Sequence, residues 1–208
     1  MKSSAWLLAA ATALACTPAF AQDRVQYTAP DGMNGVNVTS KTPLPVGLAT
    51  VAGASFTTPS GTTAYASGQL IANSATAGSV TPLSFTVCRD TTGATGMVRR
   101  ARIKTADTGF AGATVRLHLY KSSPAVANGD HGTFSSSEAD WLDDIDLILD
   151  HAFSDPFEKG VGTPTHGSEI NYDCVAGSQA IYGLVEARSA ITPQGAKTFT
   201  VTVEALPN

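Results

Sequence analysis

Along much of the chain, apolar and polar residues alternate with a period of two, the pattern of a β-strand that buries one face and wets the other. Leu83, Phe85 and Val87 fall on one side, with Ser84, Thr86 and Cys88 on the other. Val115, Leu117 and Leu119 alternate with Arg116, His118 and Tyr120, and Phe199, Val201 and Val203 alternate with Thr198, Thr200, Thr202 and Glu204. Residues 97–105 and 180–188 are further strand candidates with less regular alternation. Turn-forming clusters separate them: Asp90-Thr91-Thr92-Gly93, Asp107-Thr108-Gly109, Asn128-Gly129-Asp130 and Pro193-Gln194-Gly195. Short strands at this spacing predict an all-β domain, an antiparallel β-sandwich or jelly roll.

Two stretches depart from that pattern. Residues 138–150 read as a helix with Trp141, Ile145, Ile148 and Leu149 in a stripe capped by Ser137. They also read as a strand with Trp141, Ile145, Leu147 and Leu149 on one face and Asp143 intruding. The all-β context favours a turn or short helix around 135–140, followed by a strand. Residues 22–62 lack periodicity and are rich in turn-makers (Pro30-Asp31-Gly32, Asn34-Gly35, Pro43-Leu44-Pro45, Pro59-Ser60-Gly61), which predicts an extended N-terminal arm or linker. The β domain is accordingly expected over residues 63–208.

The first 21 residues read as a cleavable export signal. Lys2 precedes a short apolar run from Ala5 to Ala15, and Ala19-Phe20-Ala21 supplies the small-x-small cleavage pattern before Gln22. That run is too short for a comfortable membrane span, so no membrane association is expected after cleavage. Cleavage would remove Cys16 and leave Cys88 and Cys174. In an oxidising compartment these two can form a disulfide; two unpaired thiols are the alternative.

Composition narrows the chemistry. The 208 residues carry 13 basic and 17 acidic side chains, a net charge of -4 that argues against a generally basic nucleic-acid binder. Charged residues are 14% of the chain, well under the usual quarter. The acidic run Glu138, Asp140, Asp143, Asp144, Asp146 and Asp150 lacks the glycine and closing glutamate of a calcium-binding EF-hand loop, and reads as a solvated acidic edge. His118, His131, His151 and His166 show no metal-ligand spacing. No Gly-x-Ser-x-Gly elbow occurs, and Gly160-Val161-Gly162 reads as a flexible turn rather than a phosphate cradle. No catalytic residue, cofactor or metal site is assigned. One cationic constellation stands out: Arg100, Arg102 and Lys104 share a face at period two, with Arg116 on a nearby strand. Those four form a candidate face for an acidic partner, and charge complementarity with the acidic run makes a homo-oligomer conceivable.

From Thr62-Thr63-Ala64-Tyr65-Ala66-Ser67-Gly68 onward the order of strands and turns resembles small β-sandwich virion proteins of tailed bacteriophages. The likeness is carried by Val80-Thr81-Pro82-Leu83-Ser84-Phe85, Gly96-Met97-Val98-Arg99-Arg100-Ala101-Arg102 and Val115-Arg116-Leu117-His118-Leu119-Tyr120-Lys121. Ser123-Pro124-Ala125-Val126-Ala127-Asn128-Gly129-Asp130, Gly167-Ser168-Glu169-Ile170-Asn171-Tyr172 and Ala196-Lys197-Thr198-Phe199-Thr200-Val201-Thr202 complete it. The resemblance implies a non-enzymatic, particle-associated protein in the virion, meeting other virion proteins on a head or tail surface. An exported bacterial module that binds a glycan or cell-surface partner is the alternative expectation, periplasmic or extracellular, with Trp141, Tyr172 and Phe134 as candidate stacking residues.

Overall fold

The computed structural model describes residues 49–152 and 157–208, together with the backbone of two short strands at 26–27 and 36–37. The chain divides into two compact units, residues 1–46 and 47–208. In the first, β1 (Gln26–Tyr27) pairs antiparallel with β2 (Val36–Asn37). The expected export signal at 1–21 and most of the arm lie outside the described residues.

The second unit is all-β. Its strands are β3 (Thr50–Thr57), β4 (Leu70–Ile71), β5 (Leu83–Thr86), β6 (Thr95–Thr105), β7 (Thr114–Tyr120), β8 (Trp141–Ala152), β9 (Glu158–Gly162), β10 (Ile170–Asp173), β11 (Ala180–Ala187) and β12 (Thr198–Pro207). They form one antiparallel sheet in the order β3-β12-β6-β9-β8-β7-β11-β4. On its other edge β6 carries β9 along one half and β10 along the other; β11 carries β5 and β4 in the same way. The sheet curls until its far members, β3 and β5, approach within 8 Å. The sandwich-like body is therefore a single sheet rolled on itself. Among the described residues, no helix is long and apolar enough to cross a membrane.

Alternation decides what lies inside. Ile145, Leu147 and Leu149 of β8, Leu117 and Leu119 of β7, and Val201 and Val203 of β12 are fully buried in the main core. Phe199 anchors it, stacked on Phe56 at 5.2 Å and edge-on to Phe110 at 4.8 Å. A smaller cluster forms on the opposite face of β7 and β11, where Leu70, Ala72, Tyr120 and Leu184 are covered by Phe134 and Val126 of the β7–β8 connection. That connection is pinned by Asp130, whose carboxylate accepts the Tyr65 hydroxyl at 2.9 Å and the Ala72 N–H at 2.8 Å. His131, at φ 64°, stacks on the Tyr65 ring at 3.8 Å.

Three expectations are corrected. The domain begins at residue 47 rather than 63, because β3 pairs along its whole length with β12. Gly160-Val161-Gly162 is not a turn: these residues belong to β9, where the missing side chains let β8 approach closely. Trp141 leaves the face of Ile145, Leu147 and Leu149 and is 44% exposed, because a register shift between Leu119 and Tyr120 places it opposite Tyr120. The strand expected after residue 140 is present as β8.

Candidate interaction face

On β6 the outward positions are Arg100, Arg102 and Lys104, alternating with buried Ala101, Ile103 and Thr105. A bulge opposite the Glu204/Ala205 step of β12 makes Arg99 an extra residue, which is why alternation breaks at that point. Cross-strand partners share a face, so the register reads out the surface directly. One row runs Thr202, Arg102, Val161, Ile148 across β12, β6, β9 and β8; the next runs Thr200, Lys104, Lys159, His151. Val161 and Ile148, directly paired, are 52% and 48% exposed. Arg102, Lys104, Lys159 and His151 surround Val161 in a shallow depression of about 400 Å³.

The cations of this face have local partners. Arg100 donates to Glu204 through Nε at 2.6 Å, and Arg102 lies 3.8 Å from the same carboxylate. Lys104 sits 5.8 Å above the Phe157 ring, and His151 pairs with neighbouring Asp150. Lys104 and Lys159 face each other across β6 and β9.

Arg116, on β7 beyond β9 and β8, points to the same side of the sheet but carries its charge against the acidic run. It forms a two-pronged pair with Asp146, Nε–Oδ1 at 2.7 Å and Nη2–Oδ2 at 2.8 Å, with Asp144 at 3.6 Å. Of the four cations read as one face, three share β6, and Arg100 and Arg116 each pair closely with a carboxylate, Glu204 and Asp146 respectively. Lys159 and Val161 escaped the sequence reading because a strand with two glycines in five residues shows no periodicity. The histidines stay with separate neighbours: His118 hydrogen-bonds Glu186 at 2.8 Å beneath Phe134, and His166 pairs with Asp143. Of the candidate stacking aromatics, Tyr172 is buried, its hydroxyl donating to the Val87 carbonyl at 3.1 Å. Phe134 and Trp141 line a second depression of about 590 Å³ with His118 and Glu138. Cys88 and Cys174 are joined as a disulfide.

The Arg116 cluster sets an acid response. The hydrogen bond from Arg116 holds the Asp146 carboxyl below its usual range. Burial pushes Glu186 up, but the hydrogen bond and charge of His118, with Arg188, outweigh it and leave Glu186 lowered as well. Both groups bind fewer protons folded than unfolded, so their stabilisation is present above about pH 4 and is lost as pH falls through the depressed values. Asp130 opposes this, since burial raises its carboxyl and its contribution weakens as pH rises. Thermal melts between about pH 6 and about pH 3 should show a falling midpoint toward acid, and a shallower fall in Arg116→Met. An equally steep fall in that variant would contradict the assignment.

No family model matches the chain, and no curated protein matches it.

Proposed function

We propose that this chain is a non-catalytic structural protein that takes its place in a larger particle by protein–protein contact, as a virion component of the class its strand order resembles. The observation that carries this reading is the paired Val161 and Ile148, half exposed at the centre of a sheet face and flanked by Arg102, Lys104 and Lys159. An apolar centre with a polar rim rich in Lys and Arg suits docking on an acidic protein surface. The apolar pair supplies desolvation and the cations set orientation and on-rate. No cofactor is needed for such a role.

Mass spectrometry of purified phage particles tests it. The wild-type polypeptide should be a particle constituent, and Val161→Glu, folded as judged by an unchanged melting midpoint, should be missing from the particles. A wild-type chain absent from the particles would overturn the proposal.

The disulfide and the Phe134/Trp141 depression favour a second reading, an exported binding module that stacks a sugar ring on Trp141. It requires secretion of a chain beginning at Gln22 and glycan binding that Trp141→Ala abolishes.

A further inference from the structure

The start of β8 gathers three side chains that the interaction face does not use. Leu119 lies opposite Asp143 and Tyr120 opposite Trp141, so Leu142 is the extra residue of a bulge. Asp143 follows it, and its Oδ1 accepts the Asp144 N–H at 2.8 Å and meets His166 Nδ1 at 2.7 Å. The loop after β9 delivers His166: Ile145 bridges to Pro164, and the Thr165 N–H donates to the Asp144 carbonyl at 3.1 Å. Asp143, Asp144 and His166 each bring one potential ligand atom within 4.8 Å of the other two.

Clustered carboxylates alone do not define a site, and Asp144 supplies an independent observation. Its side chain is 6% exposed, with Oδ2 facing Arg116 at 3.6 Å. Its Oδ1 is buried without a hydrogen-bond partner. A buried carboxylate oxygen without a donor opposes folding, and a cation beside it removes that penalty. The geometry points to a site for a divalent cation of the zinc type at Asp143, Asp144 and His166, with water completing the coordination. Two carboxylates and an imidazole are a borderline donor set; calcium takes six to eight oxygens and magnesium keeps to oxygen and water. Zinc–ligand bonds of about 2.0–2.2 Å place tetrahedral ligands about 3.4 Å apart, so the cluster closes on a cation by side-chain rotation. His166, 64% exposed, has room to rotate and present a ring nitrogen to the cation.

Calorimetric titration of the full chain with Zn²⁺ alone, disulfide intact, is the test. Wild type should bind one equivalent, and affinity should fall at least about tenfold in His166→Ala and in Asp143→Asn. His151→Ala, which removes the other exposed histidine beside an aspartate, should bind as wild type does. Circular dichroism of each variant verifies folding, and the exposed position of His166 makes its variant the decisive one. Equal affinity in wild type and His166→Ala, or no saturable binding by wild type up to about 1 mM Zn²⁺, overturns the site.

Discussion

Breaking the Cys88–Cys174 bond should lower the thermal midpoint of the domain by about 10 °C. The bond closes a loop of sequence separation 86, and restricting a loop of that length in the unfolded chain stabilises by about 4.6 kcal/mol in the chain-entropy account, within a usual range of about 2–5 kcal/mol. In a domain of this size each kcal/mol moves the midpoint by about 2–4 °C. The placement adds to the effect. Cys88 follows β5 and Cys174 follows β10, two strands of four residues held to the sheet by β11 and β6 respectively. Both cysteines are buried in the main core, so the bridge ties the loose ends of two short strands through the interior. Cys88→Ala, Cys174→Ala and the double variant all remove the same bond and should be nearly equally destabilised, a non-additivity that separates loss of the bridge from loss of packing. Calorimetry of the three variants and of the reduced wild type checks this. A drop under about 2 °C, or additive single-variant effects, would contradict it.

How much of this was legible follows from what each strand buries. β5, β7 and β12 announce themselves because one face is aliphatic or aromatic and the other is polar, so period two is visible at once. β6 is less clear because Arg99 is an extra residue in a bulge, which shifts the phase between Val98 and Ala101. β3 was read as part of the arm: its inward positions include Ala52 and Ala54, and its alternation of small residues has little contrast. β4, at two residues, is too short for a period to register. The face divides in the same way. Arg100, Arg102 and Lys104 are legible from spacing on one strand, whereas Arg116 was grouped with them because no sequence pattern reveals that Asp146 lies across from it on β8. The cation cluster was invisible for a related reason: adjacent Asp143 and Asp144 belong on opposite faces of a regular strand, and only the bulge and the loop carrying His166 bring them to one place.

The same close packing that hid β9 makes it the most sensitive element of the interaction face. Gly162→Ala is expected to destabilise the domain by about 3 kcal/mol, at the upper end of ordinary overpacking. A Cβ at residue 162 would lie 2.1 Å from the Asp146 carbonyl oxygen and 2.9 Å from Ile145 Cγ2. The first is backbone, fixed by the pairing of β8 with β7, so β9 must move away and loosen its hold on β6 and β8. At Gly160 the corresponding approach to the Ile148 carbonyl oxygen is 2.6 Å, so Gly160→Ala should cost less than Gly162→Ala. Alanine would otherwise favour a strand over glycine by about 0.5–1 kcal/mol, which makes a net loss in both variants a direct measure of the clash. Val161 lies between these two glycines and carries the apolar centre of the face, so a displaced β9 would lose docking together with stability, whereas Val161→Glu should lose docking alone. Denaturant unfolding of the two glycine variants beside Val161→Glu separates the cases. Wild-type stability in Gly162→Ala would show that β9 does not depend on that close approach.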